Sequence, residues 1–388
     1  LKVFFILGVL WFFVLLSGFS APAVRAATMF SLILFGKTIF ERVETSNIVF
    51  VSAFLSLCYD PYWLSDVGFQ LSYIAVLGII YLYPRFYNLF AFSSGFLEKI
   101  WALCSVSIAA QIATLPLTLY YFHQFPLLFL VTNLVVIPVS TLVMGGGILI
   151  LLFSKVTIIS KALVWLTALL IKFMNVSALF FDGLPFCVID NIHLSLVNML
   201  LMYVLIVLIF VAVENRSFKL LAGSFVLAGI MLFISLFYDL EAKKNNSLVI
   251  YHVDKNSALA VFDGTSYTEF TDTVADYRLA GTLRENKIIG GVVNERNARL
   301  SKTCLILVGN KKILYAKEGN LISNKLLEVL NPDLVWIPGT GLRRKKQRAH
   351  LCDTKNLVIS GKFYKKPDCF EESYFTQDKG AFSLSLHP

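Results

Sequence analysis

Nine runs of mostly apolar residues follow one another through the first 240 positions of this chain. A helix needs about 20 such residues to cross the hydrocarbon core of a bilayer, so these runs most constrain the fold. They lie at residues 3–20, 26–40, 46–60, 67–84, 100–122, 126–153, 156–181, 194–213 and 218–238. We therefore predict an α-helical polytopic membrane bundle of about nine spans over residues 1–240.

Charged residues separate this bundle from the rest of the chain. Lys and Arg number 11 before residue 240 and 23 from there on, against 9 and 16 for Asp and Glu. Only 15% of all residues are charged, where a soluble protein has about 25%. From Asn246 onward, short β-type runs alternate with turn residues, and one helix is predicted at "ISNKLLEVL". The predicted strands are "LVIYHV", "ALAVFDG", "KIIGGVV", "CLILVGN", "KILYA", "DLVWIP", "NLVISG" and "AFSLSL". Residues 241–388 are predicted to form a small mixed α/β domain.

Loop charges predict the orientation of the spans. The connections at 60–66, 123–126 and 182–193 contain no Lys or Arg, whereas those near 37–42, 85–99, 155–161 and 216–219 hold two each. Because Lys and Arg favour the cytoplasmic side, the second group is expected inside. An odd number of spans then makes the C-terminal domain extracytoplasmic.

The ends and the cysteines give two smaller expectations. The first residue is Leu, and we expect a fragment of a longer protein. Six cysteines occur without a C-x-x-C pair, which argues against a disulfide framework and against a thiolate metal site.

Polar side chains recur at helical spacing inside the predicted spans, where each must find a partner or water. The first set begins the fourth span, the second runs along the fifth and the third lies in the sixth. Their members are Asp66, Gln70 and Tyr73; Ser107, Gln111, Thr114, Thr118 and Tyr121; and Asn133, with Ser140 and Thr141 nearby. Two interpretations stay open, since such residues either bond helices together or line a wet path. The lone His123, in a short external loop, is expected to be structural.

Three blocks of sequence resemble the competence domain of the ComEC family. They are "LSGFSAPAVRAATMF", "DPYWLSDVGFQLSYIAVLGI" and "LPLTLYYFHQFPLLFLVTNLVVIP", and they occur in the family's order within residues 1–240. The residues that match its motifs are Arg25, Pro61, Gly68, Phe69, Pro116 and Pro138. The resemblance implies a multi-pass channel in the bacterial inner membrane that takes up single-stranded DNA during natural transformation. It also implies a separate DNA receptor, a cytosolic DNA-translocating ATPase and a possible homo-oligomer as partners.

Many members of that family end in a metallo-β-lactamase-like domain, and residues 241–388 resemble a degenerate version of it. A dinuclear zinc hydrolase of this type needs a His-x-His-x-Asp-His cluster, whereas His252, His350 and His387 are isolated. We therefore expect no enzyme, no metal and no cofactor. The rival hypotheses are a membrane-anchored hydrolase with a divergent C-terminal domain and a small-solute or lipid transporter.

A basic run, "GLRRKKQRAH", stands out in the C-terminal domain. Its cations are Arg343, Arg344, Lys345, Lys346 and Arg348. Such a run is often only a solvated loop, but clustered cations also bind phosphate backbones through counterion release. These five residues are candidates for contact with DNA phosphates.

Overall fold

The computed structural model divides the chain into two compact units, Leu1–Val211 and Ala212–Pro388. The residues it describes are 2–39, 44–242, 246–253, 256–264, 266–271, 279, 281–284, 287, 294–308, 310–317, 322–338, 357–360, 374–375 and 381–385. The predicted domain boundary near residue 240 stays a prediction.

Within the described residues before 243, each apolar run is occupied by one α-helix. The bounds are α1 Lys2–Leu16, α2 Ala21–Ile39, α3 Thr45–Tyr59, α4 Val67–Tyr87, α5 Gly95–Phe122, α6 Phe129–Leu152, α7 Thr157–Asp182, α8 Leu196–Glu214 and α9 Phe218–Ala242. A short 3-10 helix, Pro61–Ser65, precedes α4.

Six of these helices, α4 to α9, are long and apolar enough to cross a membrane. The helices α1 and α3 have 15 residues each and are about 22 Å long, which is short of a hydrocarbon core of roughly 30 Å. The apolar part of α2 is also short, at Ala21–Gly36. The total of nine spans therefore stays a prediction.

Small residues bring two pairs of neighbouring helices close together. A Cβ added to Gly78 of α4 would overlap the Cβ of Ala113 in α5 and lie 3.1 Å from the carbonyl oxygen of Ala109. A Cβ added to Gly146 of α6 would lie 2.5 Å from the hydroxyl of Thr167 in α7. Close approach at small residues is how helices pack where lipid removes the hydrophobic driving force.

The first unit contains two short strands, β1 Phe125–Pro126 and β2 Val188–Ile189. In the second unit, the described residues after α9 form two five-stranded sheets. Their strands are β3 Asn246–Val253, β4 Asn256–Asp263, β5 Ser266–Thr271, β6 Asn294–Arg299, β7 Thr303–Val308, β8 Lys311–Ala316, β9 Leu334–Pro338, β10 Leu357–Ser360, β11 Tyr374–Phe375 and β12 Phe382–Ser385. The first sheet has the order β12-β3-β4-β5-β6 and the second β11-β10-β9-β8-β7. Both sheets are mixed, since β5 pairs in parallel with β6 and β9 pairs in parallel with β8 and β10.

The main core of this unit contains side chains from both sheets. Leu248 and Ile250 alternate along β3, as a buried strand face requires, and belong to one cluster with Ile313, Tyr315 and Trp336. On the other face of the second sheet lies a short helix, α10 Asn324–Leu330, whose three leucines cover the cluster around Val335. Leu279 and Leu283 cover the other face of the first sheet. The predicted mixed α/β region is thereby confirmed, including its helix.

Candidate functional site

Two carboxylates organise the connection between α3 and α4. Asp60 accepts a hydrogen bond of 3.0 Å from the backbone N–H of Tyr62 and caps the 3-10 helix. Asp66 accepts from the N–H groups of Gly68 and Phe69, at 3.2 and 3.1 Å, and caps α4. Such caps satisfy donors that have no partner inside the helix. Asp66 thus has a structural task that its sequence position next to an apolar run did not reveal.

Arg25, in α2, reaches the same carboxylate. Its Nη1 lies 3.4 Å from Oδ2 of Asp66, and Arg25 is only 4% exposed. A Cβ at Gly68 would lie 3.4 Å from both the Arg25 guanidinium and the Asp66 carboxylate. The structure therefore brings together three of the predicted motif residues, Arg25, Gly68 and Phe69, around Asp66. A fourth, Pro61, begins the adjacent 3-10 helix.

The other polar residues at the start of α4 hold neighbouring segments in place. Gln70 donates from Nε2 to the carbonyl oxygen of Leu64 at 2.8 Å, which fastens the loop to the helix. The Tyr73 hydroxyl lies 3.3 Å from Oγ of Ser56 in α3. Tyr73 is 6% exposed and its ring lies 4.5 Å from that of Phe69, centre to centre. It therefore packs between helices, and its ring has no free face for a base.

The stripe along α5 has a different environment. Ala109, Ala113 and Pro116 are buried on one side of this helix, and at 3.6 residues per turn the predicted stripe lies on the opposite side. Within the stripe only Ser107 is buried; the half-buried members are Gln111, Thr114, Thr118 and Tyr121.

Two hydroxyls of the stripe are satisfied within α5. Thr114 donates to the carbonyl oxygen of Ala110 at 2.9 Å, and Thr118 donates to that of Thr114 at 3.0 Å. Each hydroxyl oxygen keeps lone pairs for a further donor. These two hydroxyls therefore present hydrogen-bond acceptors on the face away from α4 without needing another helix to satisfy them.

The third polar set lies on α6. Asn133 is half-buried and Pro138 is exposed. Ser140 and Thr141 both donate to the carbonyl oxygen of Ile137, each at 2.9 Å. These two side chains bond their own helix next to the proline.

His123 ends α5 in a left-handed conformation, with φ of 55°. Its Nδ1 lies 3.3 Å from the carbonyl oxygen of Ile192, and its own carbonyl accepts from the Ile192 N–H at 3.1 Å. A two-residue ribbon follows, in which β1 Phe125–Pro126 pairs with β2 Val188–Ile189. His123 thus fastens two loops together, which fits the structural role expected for it.

An apolar crevice of about 470 Å³ opens between the ends of α1, α2 and α3. Four aromatic residues line it, together with Thr28 and Ser56; they are Trp11, Phe19, Tyr59 and Trp63. Sequence patterns did not indicate this crevice, because its lining comes from four separate segments.

A lysine that belongs to none of the polar sets lies inside a predicted span. Lys172 lies within α7, and both Lys172 and Asn175 are exposed. A single Lys in an otherwise apolar run was the available signal, since ionisable residues at membrane depth are rare.

A buried hydrogen-bonded chain joins the two sheets of the second unit. Trp336 donates from Nε1 to the Ser360 hydroxyl at 2.8 Å, and Ser360 donates to the Ser257 hydroxyl at 2.9 Å. The Ser257 hydroxyl lies 3.0 Å from Nδ1 of His252. Because an indole can only donate, the direction of the first bond is certain. His252 therefore contacts this series of hydrogen bonds through Ser257. Among the described residues, no group of potential metal ligands surrounds it.

The outer face of the first sheet carries an ion cluster. Lys287 pairs with Glu269 at 3.2 Å and with Glu295, and its ammonium lies 4.7 Å from the centre of the Tyr267 ring. Burial, followed by the charge of Glu269, raises the pKa of Tyr267 well above its usual range. At the turn before β9, a hydrogen bond from the Lys312 N–H lowers the pKa of Asp333.

The remaining candidates of the C-terminal domain lie outside the described residues. These are the cations Arg343, Arg344, Lys345, Lys346 and Arg348, and also His350 and His387.

Comparison with known proteins gives one family. A family model described as "Competence protein" matches residues 1–216. ComE operon protein 3 of Bacillus subtilis (strain 168) is 28% identical over 211 residues, which are 53% of this chain and 26% of that relative. The chain therefore spans about a quarter of the length of the curated relative it matches. No solved structure matches.

Proposed function

Since this chain belongs to the ComEC family of competence proteins, we propose that it forms an inner-membrane channel for uptake of single-stranded DNA during natural transformation. The observation that carries this proposal is the family match, which extends over residues 1–216. That range includes all of α1 to α8. We further propose that all nine helices cross the bilayer and that the C-terminal domain is extracytoplasmic.

The polar face of α5 supports a path for DNA. Its half-buried members, Gln111, Thr114, Thr118 and Tyr121, are polar and uncharged. A strongly positive wall would retain a polyanion and a negative one would repel it, whereas conduction needs reversible binding. We propose that this face lines the path and that Tyr121 stacks on bases, as aromatic side chains do in sequence-tolerant binders. The contacts of Asp66, Gln70 and Tyr73 favour a role in holding neighbouring segments together. The burial of Ser107 favours the same role.

For the C-terminal domain we propose a degenerate metallo-β-lactamase-like fold without nuclease activity. The isolated histidines of the sequence support this, as does the contact of His252 with Ser257. We propose that the basic run at residues 343–348 contacts DNA phosphates. A separate DNA receptor, a cytosolic ATPase and a second copy of the chain are the proposed partners.

A lipid transporter is the second candidate, and one observation favours it. The crevice between α1, α2 and α3 is lined mainly by apolar and aromatic side chains, which suits an acyl chain better than a phosphate backbone. If the chain transports lipid, filling the crevice with Ser56→Phe should stop lipid transport. The chain would then import no DNA that the substitution could affect.

The test measures arrival of fluorescent DNA in the cytosol of transformable cells. One strain carries the full-length parent gene, one its deletion, and two carry the variants Gln111→Leu and Gln70→Leu. We expect deletion to abolish uptake and Gln111→Leu to lower it at least tenfold, because the substitution removes a polar group from the proposed path. Gln70→Leu, which removes a loop contact, is the matched control and should reduce uptake in proportion to the amount of protein inserted.

Equal uptake in the deletion strain and the parent would overturn the channel proposal. Loss of uptake on deletion, with both variants at the parental level per inserted protein, would retain the function and remove the α5 face from the path.

A further inference from the structure

With α7 crossing the bilayer as proposed above, Lys172 lies close to the middle of the hydrocarbon core. The 26 residues of α7 make a helix about 39 Å long, whose midpoint falls between residues 169 and 170. Lys172 is then about 4 Å from the midpoint along the axis, and about 11 Å from the nearer edge of a hydrocarbon core of roughly 30 Å. Lysines near helix ends reach the interface with their long side chains, but this depth leaves the ammonium within the core.

Among the described residues of the first unit, α7 packs closely against α6, and the lysine is on a different side of α7. The packed side is marked by Thr167, which is 8% exposed and meets Gly146 of α6. Five residues further, at 3.6 residues per turn, Lys172 points well away from α6. Lys172 is exposed, and so is Asn175, three residues on. Within the described residues no ion pair includes Lys172.

An exposed ammonium at this depth is incompatible with a face that touches only lipid. Ionisable groups in spans face the bundle interior or a water-filled cavity, because the hydrocarbon offers them neither water nor a counter-charge. Asn175 adds two donors and an acceptor to the same side. The face of α7 that holds Lys172 and Asn175 must therefore meet water or a polar partner.

We propose that this face of α7 borders the water-filled path and that Lys172 binds phosphate oxygens of the passing DNA strand. The inference rests on the proposed function for its ligand, and on depth, exposure and charge for its position. A lysine ammonium is a compact, strongly hydrated point charge with three donors, so it binds a phosphate without the fixed bidentate geometry of arginine. A single cation of this kind allows the strand to bind and to leave, as conduction requires.

Thiol labelling tests the position of the face. Lys172→Cys and Phe173→Cys are made in the full chain, and membranes are treated with a charged, membrane-impermeant methanethiosulfonate. Labelling is then quantified by mass spectrometry on the peptide that contains the new cysteine, so native cysteines do not interfere. Phe173 is 52% exposed and next in sequence, which makes it the matched control on a different side of the helix. We expect Lys172→Cys to react at least tenfold faster than Phe173→Cys.

DNA uptake tests the ligand. Lys172→Met should lower uptake at least tenfold at equal protein level, and Lys172→Arg should restore most of it, because the charge returns. Lys161→Met, at the end of the same helix, should change uptake less than twofold.

The outcomes separate the two ideas. An unreactive thiol in Lys172→Cys, or a disulfide that joins two copies of this variant through their introduced thiols, would overturn the water-filled face whatever the uptake result. A reactive thiol in Lys172→Cys with normal uptake by Lys172→Met would overturn phosphate binding. If the parent imports no more DNA than its deletion, the proposed function fails and phosphate binding fails with it, while labelling still reports whether α7 meets water.

Discussion

At the scale of single residues, Asp66 combines a helix cap with a contact to a buried cation. It caps α4 through two backbone donors and lies 3.4 Å from the buried Arg25. The carboxylate side chain itself is 47% exposed, so solvent screens the ion pair and the cap contributes more reliably to stability.

Two substitutions of Asp66 distinguish the contribution of the helix cap to stability from that of the charge. Asp66→Ala should lower the free energy of unfolding by about 1–2 kcal/mol, because α4 loses its cap. Asp66→Asn keeps a capping oxygen and should cost less. Unfolding of the purified chain in mixed detergent, followed by circular dichroism while SDS is titrated in, measures both. Equal losses for Ala and Asn would show that the charge, and not the cap, carries the contribution.

The raised pKa of Tyr251 predicts how the stability of the C-terminal domain changes at alkaline pH. Burial raises the pKa of Tyr251 from 10.0 to about 12. Between these values the unfolded chain releases a proton that the folded chain keeps, so stability is complete below about pH 10 and falls as pH rises toward 12. The loss by the upper end of this window should be about 2 kcal/mol.

Near-ultraviolet circular dichroism during urea unfolding, at a series of pH values, measures this slope. Tyr251→Phe should make the slope shallower without removing it, because the pKa of Tyr267 is raised too. Tyr62→Phe, at a residue that is 86% exposed, should leave the slope unchanged. An unchanged slope in Tyr251→Phe would assign the effect to another group.

At the scale of helices, glycine positions decide which faces approach closely. Three glycines follow one another in α6, but they differ in surroundings. A Cβ at Gly146 would lie 2.5 Å from the Thr167 hydroxyl, whereas one at Gly145 meets nothing within 4 Å. The sequence "GGG" alone could not reveal this difference, because it depends on where α7 lies.

Paired substitutions test this difference. Gly146→Leu should destabilise the α6–α7 contact by about 1–3 kcal/mol, as overpacking does. Both substitutions raise helix propensity equally. Since a Cβ at Gly145 meets nothing within 4 Å, Gly145→Leu should be neutral or slightly stabilising. SDS titration of the two variants gives the difference, and similar values for both would contradict the packing of α6 on α7.

At the scale of the whole molecule, the described residues form two units with different means of stabilisation. The first unit exposes most of its apolar side chains, as helices that face lipid do, and buries few. The second unit buries nearly all of β9 and β10 between sheet and helix. Its buried polar chain, Trp336 to Ser360 to Ser257, connects one sheet to the other.

Breaking this series of hydrogen bonds should destabilise the second unit selectively. Ser360→Ala leaves the indole N–H of Trp336 without its acceptor and should cost about 1–3 kcal/mol. Combined with Trp336→Phe, the loss should be smaller than the sum of the single losses, because both members act on one bond. Urea unfolding of the full chain, followed by near-ultraviolet circular dichroism, measures the cycle. Additive losses would show that the bond contributes nothing.

The sequence by itself determined where the helices lie, because apolar runs of this length leave the backbone no other way to satisfy its polar groups in lipid. It also determined the family and most strands of the C-terminal domain, since "LVIYHV" and "DLVWIP" consist largely of residues that favour strands. The strands β5 and β6 were missed because "SYTEFT" and "NERNAR" are polar, and their pairing comes from the sheet. The predicted strand "KIIGGVV" lies mostly outside the described residues.

Only the tertiary structure decided what the polar residues do. Helical spacing put Asp66, Gln70 and Tyr73 in one class, but their partners differ: a helix terminus, a loop carbonyl and a serine of α3. The spacing of residues along α5 does not show which side of this helix is packed. The close approach of Gly78 of α4 to α5 does show it. The physical reason is that a side chain's spacing is a property of its own helix, whereas its hydrogen-bond partner and its exposure belong to the neighbouring segments.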